Sequence, residues 1–292
     1  TNPDDAHSGK LANMVPGIRH FWDFDRSVRT LYGAFHEGEN HPFTLVLDPF
    51  MRVLANIRHT PDNAHIEKLR RMFAQLPVVD MYAGVPINAP VLILPRVFEP
   101  SFCRDLITLY DAQGGSESGF MREKDGKTVA MLDSGFKRRK DFMFDQTPEQ
   151  AELRGQIRAR LNRRLIPAIQ KAFQFEVTLI ERYIVACYEG ETKGFFKAHR
   201  DNTTRGTAHR RFACTLNLNA EEYDGGDLRF PEFGTRSYRA PTGGAVVFSC
   251  SLLHEATPVT RGKRYAFLPF LYDEAAEKIR NENMQFLSEE VI

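Results

Sequence analysis

His199 and Asp201, with His254 and Arg264 further along, restrict how this chain can fold more than any other feature. On an extended segment successive side chains alternate, so His199 and Asp201 point to one side and can hold one ion together. His254 follows the strand-like run Ala245-Val246-Val247-Phe248, where an antiparallel partner would bring it to the same end of a barrel. Two imidazoles and one carboxylate on Fe(II) leave a coordination face open for a co-substrate and O2. Arg264 opens a hydrophobic strand, and a buried guanidinium there demands an anionic partner. A metal-bound 2-oxoacid would supply that anion. A His-x-Asp tripeptide alone is a common surface accident. Residues 88–292, however, contain three histidines, and two of them fall in this pattern.

The 292 residues suffice for one large domain or two ordinary ones, and 42% hydrophobic with 26% charged residues describes a globular chain with a real core. A net charge of +1 gives no reason to expect a nucleic-acid partner, and no apolar run is long enough for a membrane helix. Cys103, Cys187, Cys214 and Cys250 are far apart and lack CxxC spacing, so we read them as small buried hydrophobes. That usage fits a reducing, cytoplasmic setting in which iron stays ferrous.

Two regions of different grammar meet near residue 85. In the first, residues 17–21 suggest a short strand and Ser27–Phe35 a short helix. Phe43–Asp48 and Met51–Ala55 form a hairpin pattern around Asp48-Pro49-Phe50. Ala64–Leu76 is amphipathic at helical spacing. Residues 77–90, with three prolines and Gly84, suit a linker, and we divide the chain into domains 1–86 and 87–292. The second region opens with the strand Val91–Leu94 and a helix after Pro100. A longer helix starts at Thr147-Pro148 and runs to about Phe173. Strands are then expected at 181–188, 196–199, 212–219, 227–230, 245–248 and 264–272. Residues 273–292 read as a polar helix. Helices followed by many short strands with Gly-rich turns indicate an α+β fold, a jelly roll backed by helices.

Two resemblances sharpen this. The segments Gly194–Asn202, Arg210-Arg211-Phe212, Leu216–Asn219, Gly225–Pro231, Pro241–Ala245, His254-Glu255 and Gly262–Tyr265 resemble the Fe(II)- and 2-oxoglutarate-dependent oxygenases, in their prolyl-4-hydroxylase-like branch. That likeness, over residues 91–272, implies a double-stranded β-helix and a hydroxylase of unactivated C–H bonds that releases succinate and CO2. It implies Fe(II) on His199, Asp201 and His254, 2-oxoglutarate on Arg264 with Tyr188, and ascorbate as reductant. Glu191-Thr192-Lys193 lengthens the loop between Tyr188 and His199 relative to the family pattern. The implied partners are O2, 2-oxoglutarate and a peptide or small-molecule substrate, with prolyl residues the nearest class and oligomeric state left open. Thr215, Asn217 and Asn219 alternate with apolar residues on one strand, and a polar face inside a barrel suggests a wet site, so Thr215 and Asn217 join the co-substrate candidates.

The first 80 residues resemble the C-terminal half of a peroxiredoxin or thioredoxin-like domain, on Asn2–Asp5, Pro16-Gly17-Ile18, Tyr32-Gly33 and Pro42–Asp48. Pro42 is then the candidate for that fold's cis-proline, and a segment upstream of Thr1 would supply the missing strands. Residues 1–102 contain no cysteine, which disfavours a peroxidase. A binding module that keeps its metal but lacks catalysis is the other alternative, opposed by the complete residue set. The charged stretch Arg122–Lys140 is either a solvated hairpin or a substrate grip. His209-Arg210-Arg211 reads as a loop and strand edge.

Overall fold

The computed structural model describes residues 20–48, 52–76, 81–82, 85–144 and 147–288, with Asp4 and Ser8. By internal contacts the chain forms two compact units, residues 1–87 and 88–292. In the first, the hairpin Phe43–Leu47 with Val53–Arg58 and the helix Ala64–Gln75 take their expected places. The helix at Ser27 stops at Leu31, because Gly33 turns the chain with φ +68° and Phe35 has already entered a strand. His20 and Phe21 are not in a strand; the rest of that run, residues 49–51 and the linker residues 77–80 and 83–84 lie outside the described residues. Among the described residues of this unit, Val46 and Ile57 are the buried apolar side chains, while Phe21, Leu31, Tyr32, Val53 and Phe73 are exposed.

The second unit is built from helices against a sheet. Pro100 starts a helix that reaches Gln113 and buries Phe102, Cys103, Leu106 and Tyr110 along one face. Pro148 likewise starts the long helix, which runs as expected to Phe173. Its middle, Leu161–Leu165, widens into a π-turn. Pro167 has no N–H to return to the preceding turn, and the wider turn absorbs that loss.

Among the described residues, nine strands form a large sheet and five a smaller one. The strands 212–217, 263–267 and 184–189 lie side by side in the large sheet, and 245–249 pairs with 212–217. The smaller sheet runs in the order 137–138, 195–199, 254–256, 228–229, 237–238. Two predicted strands are each broken in two. Leu268-Pro269 separates Lys263–Phe267 from Phe270–Tyr272, since proline cannot continue the ladder, and Arg182 at φ +68° separates Leu179–Glu181 from Ile184–Glu189.

Side-chain alternation sorts the large sheet into two faces. Cys187, Cys214, Leu216, Tyr265 and Phe267 pack with Leu106, Ile157, Leu161 and Leu165 of the helices. Ala213, Val246, Phe248 and Phe270 face inward with Leu228 and Tyr238 of the smaller sheet. Truncating a side chain such as Leu161 to alanine should cost about 2–5 kcal/mol. All four cysteines are free and buried. No helix among the described residues is long and apolar enough to cross a membrane.

Candidate active site

His199 and His254 lie directly opposite each other in the antiparallel pair formed by 195–199 and 254–256. The register shifts between Phe196 and His199, a bulge that re-aims the imidazole. Asp201 follows at the strand end, its amide N–H donating to the Cys250 carbonyl at 3.0 Å. The Asp201 carboxylate oxygens sit 3.4 Å from His199 Nε2 and 3.3 Å from His254 Nε2. One donor atom from each of the three residues lies within 4.8 Å of the others.

Both imidazoles are held from behind. His199 Nδ1 lies 2.7 Å from the Lys197 carbonyl and His254 Nδ1 3.0 Å from that of Leu252. A carbonyl only accepts, so each Nδ1 carries the proton and each Nε2 presents its lone pair towards Asp201. Phe196 stacks on His199 with ring centroids 3.6 Å apart, and Phe248 closes on His254 at 4.6 Å. Burial and the neighbouring His199 push His254 down to about 4, so it is neutral at pH 7. Burial alone would raise the Asp201 carboxyl, but the imidazoles of His254 and His199, when they carry a second proton, hold it well below the usual carboxylate range. Two neutral nitrogens and one anionic oxygen are a donor set that fits a divalent transition metal.

Arg264 is 2% exposed, and its Nε and Nη1 have no hydrogen-bond partner. No carboxylate among the described residues pairs with it. Its guanidinium lies 4.8 Å over the ring of Tyr188, the residue opposite it in the strand pair 184–189 and 263–267. Gly226, at φ +67°, lets the chain pass here, because a Cβ would stand 2.7 Å from Val259 and 3.0 Å from Arg264 Cδ. The nearby Tyr223 hydroxyl is also buried without a partner. An orphaned, buried guanidinium is a fit for a small anion.

Tyr188, Thr215, Asn217 and Arg264 alternate with residues of the helix-side core and so share the inward face. Tyr188 accepts a hydrogen bond from Arg139 at 3.3 Å, which leaves its own proton for another acceptor. Asn217 donates to the Ala240 carbonyl at 2.7 Å and leaves its Oδ1 unpartnered. Asn219 is a brace, bonded to the Lys263 carbonyl and the Tyr265 amide.

The basic run 137–140, expected to be part of either a solvated hairpin or a substrate grip, divides between solvent and interior. Lys137-Arg138 is the edge strand of the smaller sheet and Lys140 opens a strand of the large one; Arg138 and Lys140 face solvent while Lys137 and Arg139 are buried. Arg139 pairs with Asp141 at 2.7 Å. Period-two alternation in the run was the signal. His209 and Arg210 lie in the turn before the strand 212–217, as expected, and both are buried and bound to Glu181, at 2.8 and 2.6 Å. Arg210 also donates to the Asp201 carbonyl at 3.4 Å.

The sequence pattern of the 2OG-Fe(II) oxygenase superfamily matches residues 183–272. A PKHD-type hydroxylase of Paracoccus denitrificans (strain Pd 1222) is 31% identical over 176 residues, 55% of this chain and 75% of that protein. One from Nitrosomonas eutropha is 32% identical over 138 residues, 44% of this chain and 57% of that protein. The chain spans about half the length of the Synechococcus relatives that it matches, 49% in each. Among solved structures, a prolyl hydroxylase of Trichoplax adhaerens, in complex with a hypoxia inducible factor oxygen degradation domain peptide fragment, superposes with a TM-score of 0.52 at 18% identity, covering 76% of this chain and 97% of that one. That likeness is one of fold, a jelly-roll core with supporting helices. From the Paracoccus relative and the superfamily pattern together, the chain belongs to the PKHD-type hydroxylases within the 2OG-Fe(II) oxygenase superfamily.

Proposed function

We propose that this chain is an Fe(II)- and 2-oxoglutarate-dependent dioxygenase that hydroxylates an unactivated C–H bond. The observation that carries the reading is the buried, unpaired Arg264 on the inward face that also holds Tyr188, in the unit that brings His199, Asp201 and His254 together. Bound iron, 2-oxoglutarate and O2 together supply the chemistry: C–H becomes C–OH as 2-oxoglutarate becomes succinate and CO2. His199, Asp201 and His254 hold the metal. Arg264 pairs through its planar fork with the distal carboxylate of 2-oxoglutarate, and Tyr188 adds its hydroxyl proton to the same anion. Asn217 Oδ1 and Thr215 line the inward face beside them. Phe196 and Phe248 exclude water from the imidazoles. Incubation with Fe(II), ascorbate and 2-oxoglutarate should release succinate even without a substrate; a pure binding module would release none.

The proposed substrate is a prolyl residue in a peptide, which the Trichoplax relative's peptide complex and the hydroxylase names of the relatives support. We also assign domain 1–86 as part of a thioredoxin-like fold and 87–292 as the oxygenase. A hairpin followed by a helix, with little apolar burial of its own, supports the first assignment. A solved structure of the natural protein in which residues 1–86 continue no such sheet would refute it.

A further inference from the structure

Lys137 is a buried lysine with no carboxylate of its own. It is 6% exposed, and no carboxylate among the described residues lies within ion-pair distance of it. Its Nζ donates to Ser118 Oγ and the Gly119 carbonyl, both at 2.6 Å and both uncharged. An ammonium has three protons, so one remains to be placed. The nearby acids serve other cations, although Asp141 keeps its Oδ1 without a hydrogen-bond partner. Asp141 accepts from Arg139 at 2.7 Å and Ser118 at 2.5 Å and faces Arg182 at 3.5 Å, while Glu181 holds His209 and Arg210. Lys137, Arg139 and Arg182 thus share one carboxylate, and Arg139 Nε is itself buried without a partner. Burial and the Arg139 charge hold the Lys137 ammonium well below its usual range. A buried charge that lacks a partner of its own is costly. An anion arriving there would relieve that cost.

The position of this cation is as telling as its charge. Lys137 is the cross-strand partner of Phe196, so both project to the same face of the smaller sheet. Its Nζ stands 4.7 Å from the centre of the Phe196 ring, which in turn stacks on His199. Lys137 is therefore one aromatic layer from a metal-ligand imidazole, on a different sheet from Arg264. An anion at Lys137 would sit beside the metal without competing for the Arg264 fork.

We propose that the substrate carries a carboxylate and that Lys137 binds it, setting the target C–H beside the metal; this rests on the dioxygenase reading above. The carboxylate belongs either to an acidic side chain next to the target residue or to the free α-carboxylate of an amino acid or chain end. The test is calorimetry without O2, with Mn(II) and 2-oxoglutarate present. The probes are proline and prolyl dipeptides as free acids and as amides, and short prolyl peptides carrying Asp or Glu against the same peptides with Asn or Gln. In the wild-type chain one acid series should bind at least roughly 10-fold more tightly than its amide series, and which one does so identifies the source. Lys137→Met should erase the difference and Lys137→Arg keep part of it, with Mn(II) and 2-oxoglutarate affinities retained in both. Equal binding of acids and amides, binding of neither, or an undiminished ratio in Lys137→Met overturns the proposal. So does a Lys137→Met variant whose defect is in 2-oxoglutarate affinity, which would make Lys137 a co-substrate ligand. Failure of the wild-type chain to bind Mn(II) or 2-oxoglutarate overturns instead the dioxygenase reading, and this proposal with it.

Discussion

His199 and His254 show how much chemistry is fixed by two backbone carbonyls. With Nδ1 of each ring 2.7 and 3.0 Å from its carbonyl, each Nε2 is free to ligate before any metal arrives. Replacing either histidine by alanine should therefore lower metal affinity well beyond the ~10–100-fold of an outer-shell change, with the fold retained, as calorimetry and circular dichroism would report. Arg264 makes the opposite kind of case. Its unpaired charge destabilises the free protein, so Arg264→Met should leave the metal-free thermal midpoint unchanged or higher while reducing 2-oxoglutarate affinity by roughly 100-fold. Arg264→Lys should weaken binding less, since an ammonium keeps the charge and loses only the fork. A 2-oxoglutarate affinity unaltered by Arg264→Met would refute the assignment. His199, Asp201, His254 and Arg264 could be proposed from the sequence because residue type and order alone suggest their chemistry. Lys137 and Arg139 could not, because a Lys-Arg-Arg-Lys run has the composition of a solvated surface. Only its place on strands, alternating inward and outward, reveals which two members are buried.

Strands and turns decide whether those side chains meet. The helices and most later strands of the second unit were readable from apolar runs and prolines, and Pro100 and Pro148 mark both helix starts. The short strands between residues 116 and 143 were not expected, apart from the hairpin reading of Arg122–Lys140. Breaks inside strands were not readable, since Arg182 has a left-handed backbone that nothing local requires and Pro269 lies inside an otherwise continuous apolar run. Gly226 is an element-scale constraint on Arg264. Gly226→Ala should push the guanidinium aside, weakening 2-oxoglutarate while leaving metal affinity intact; equal loss of both would contradict the local explanation. Asp141 ties the strand Lys140–Met143 to Arg139 and Arg182. Burial would raise its carboxyl, but Arg139, Lys137 and Arg182 bring it down to about 2. A depressed acid contributes stability above its unfolded pKa and loses it as pH falls through the folded one. The wild-type chain should thus lose about 2 kcal/mol between pH 4 and pH 2 that Asp141→Asn does not lose. Parallel acid limbs in denaturant titrations of the two proteins would contradict this.

At the scale of the molecule, the second unit carries both apolar clusters and every proposed catalytic side chain, whereas the first buries few apolar residues among those described. The α+β jelly-roll class followed from the strand count and the spacing of the site residues. What the first unit does was not legible, because a hairpin and an amphipathic helix are parts that many folds share. The sequence also left the inward polar face ambiguous, as Asn217 both braces the Ala240 carbonyl and turns an unpartnered oxygen inward. The central claim concerns one ion and one diacid, and an anomalous-difference map of crystals grown without O2 in Mn(II) and 2-oxoglutarate tests it directly. The account predicts a single strong peak among His199 Nε2, His254 Nε2 and the Asp201 carboxylate, with the diacid's far carboxylate on Arg264. No peak there, or a diacid bound away from Arg264, would contradict it.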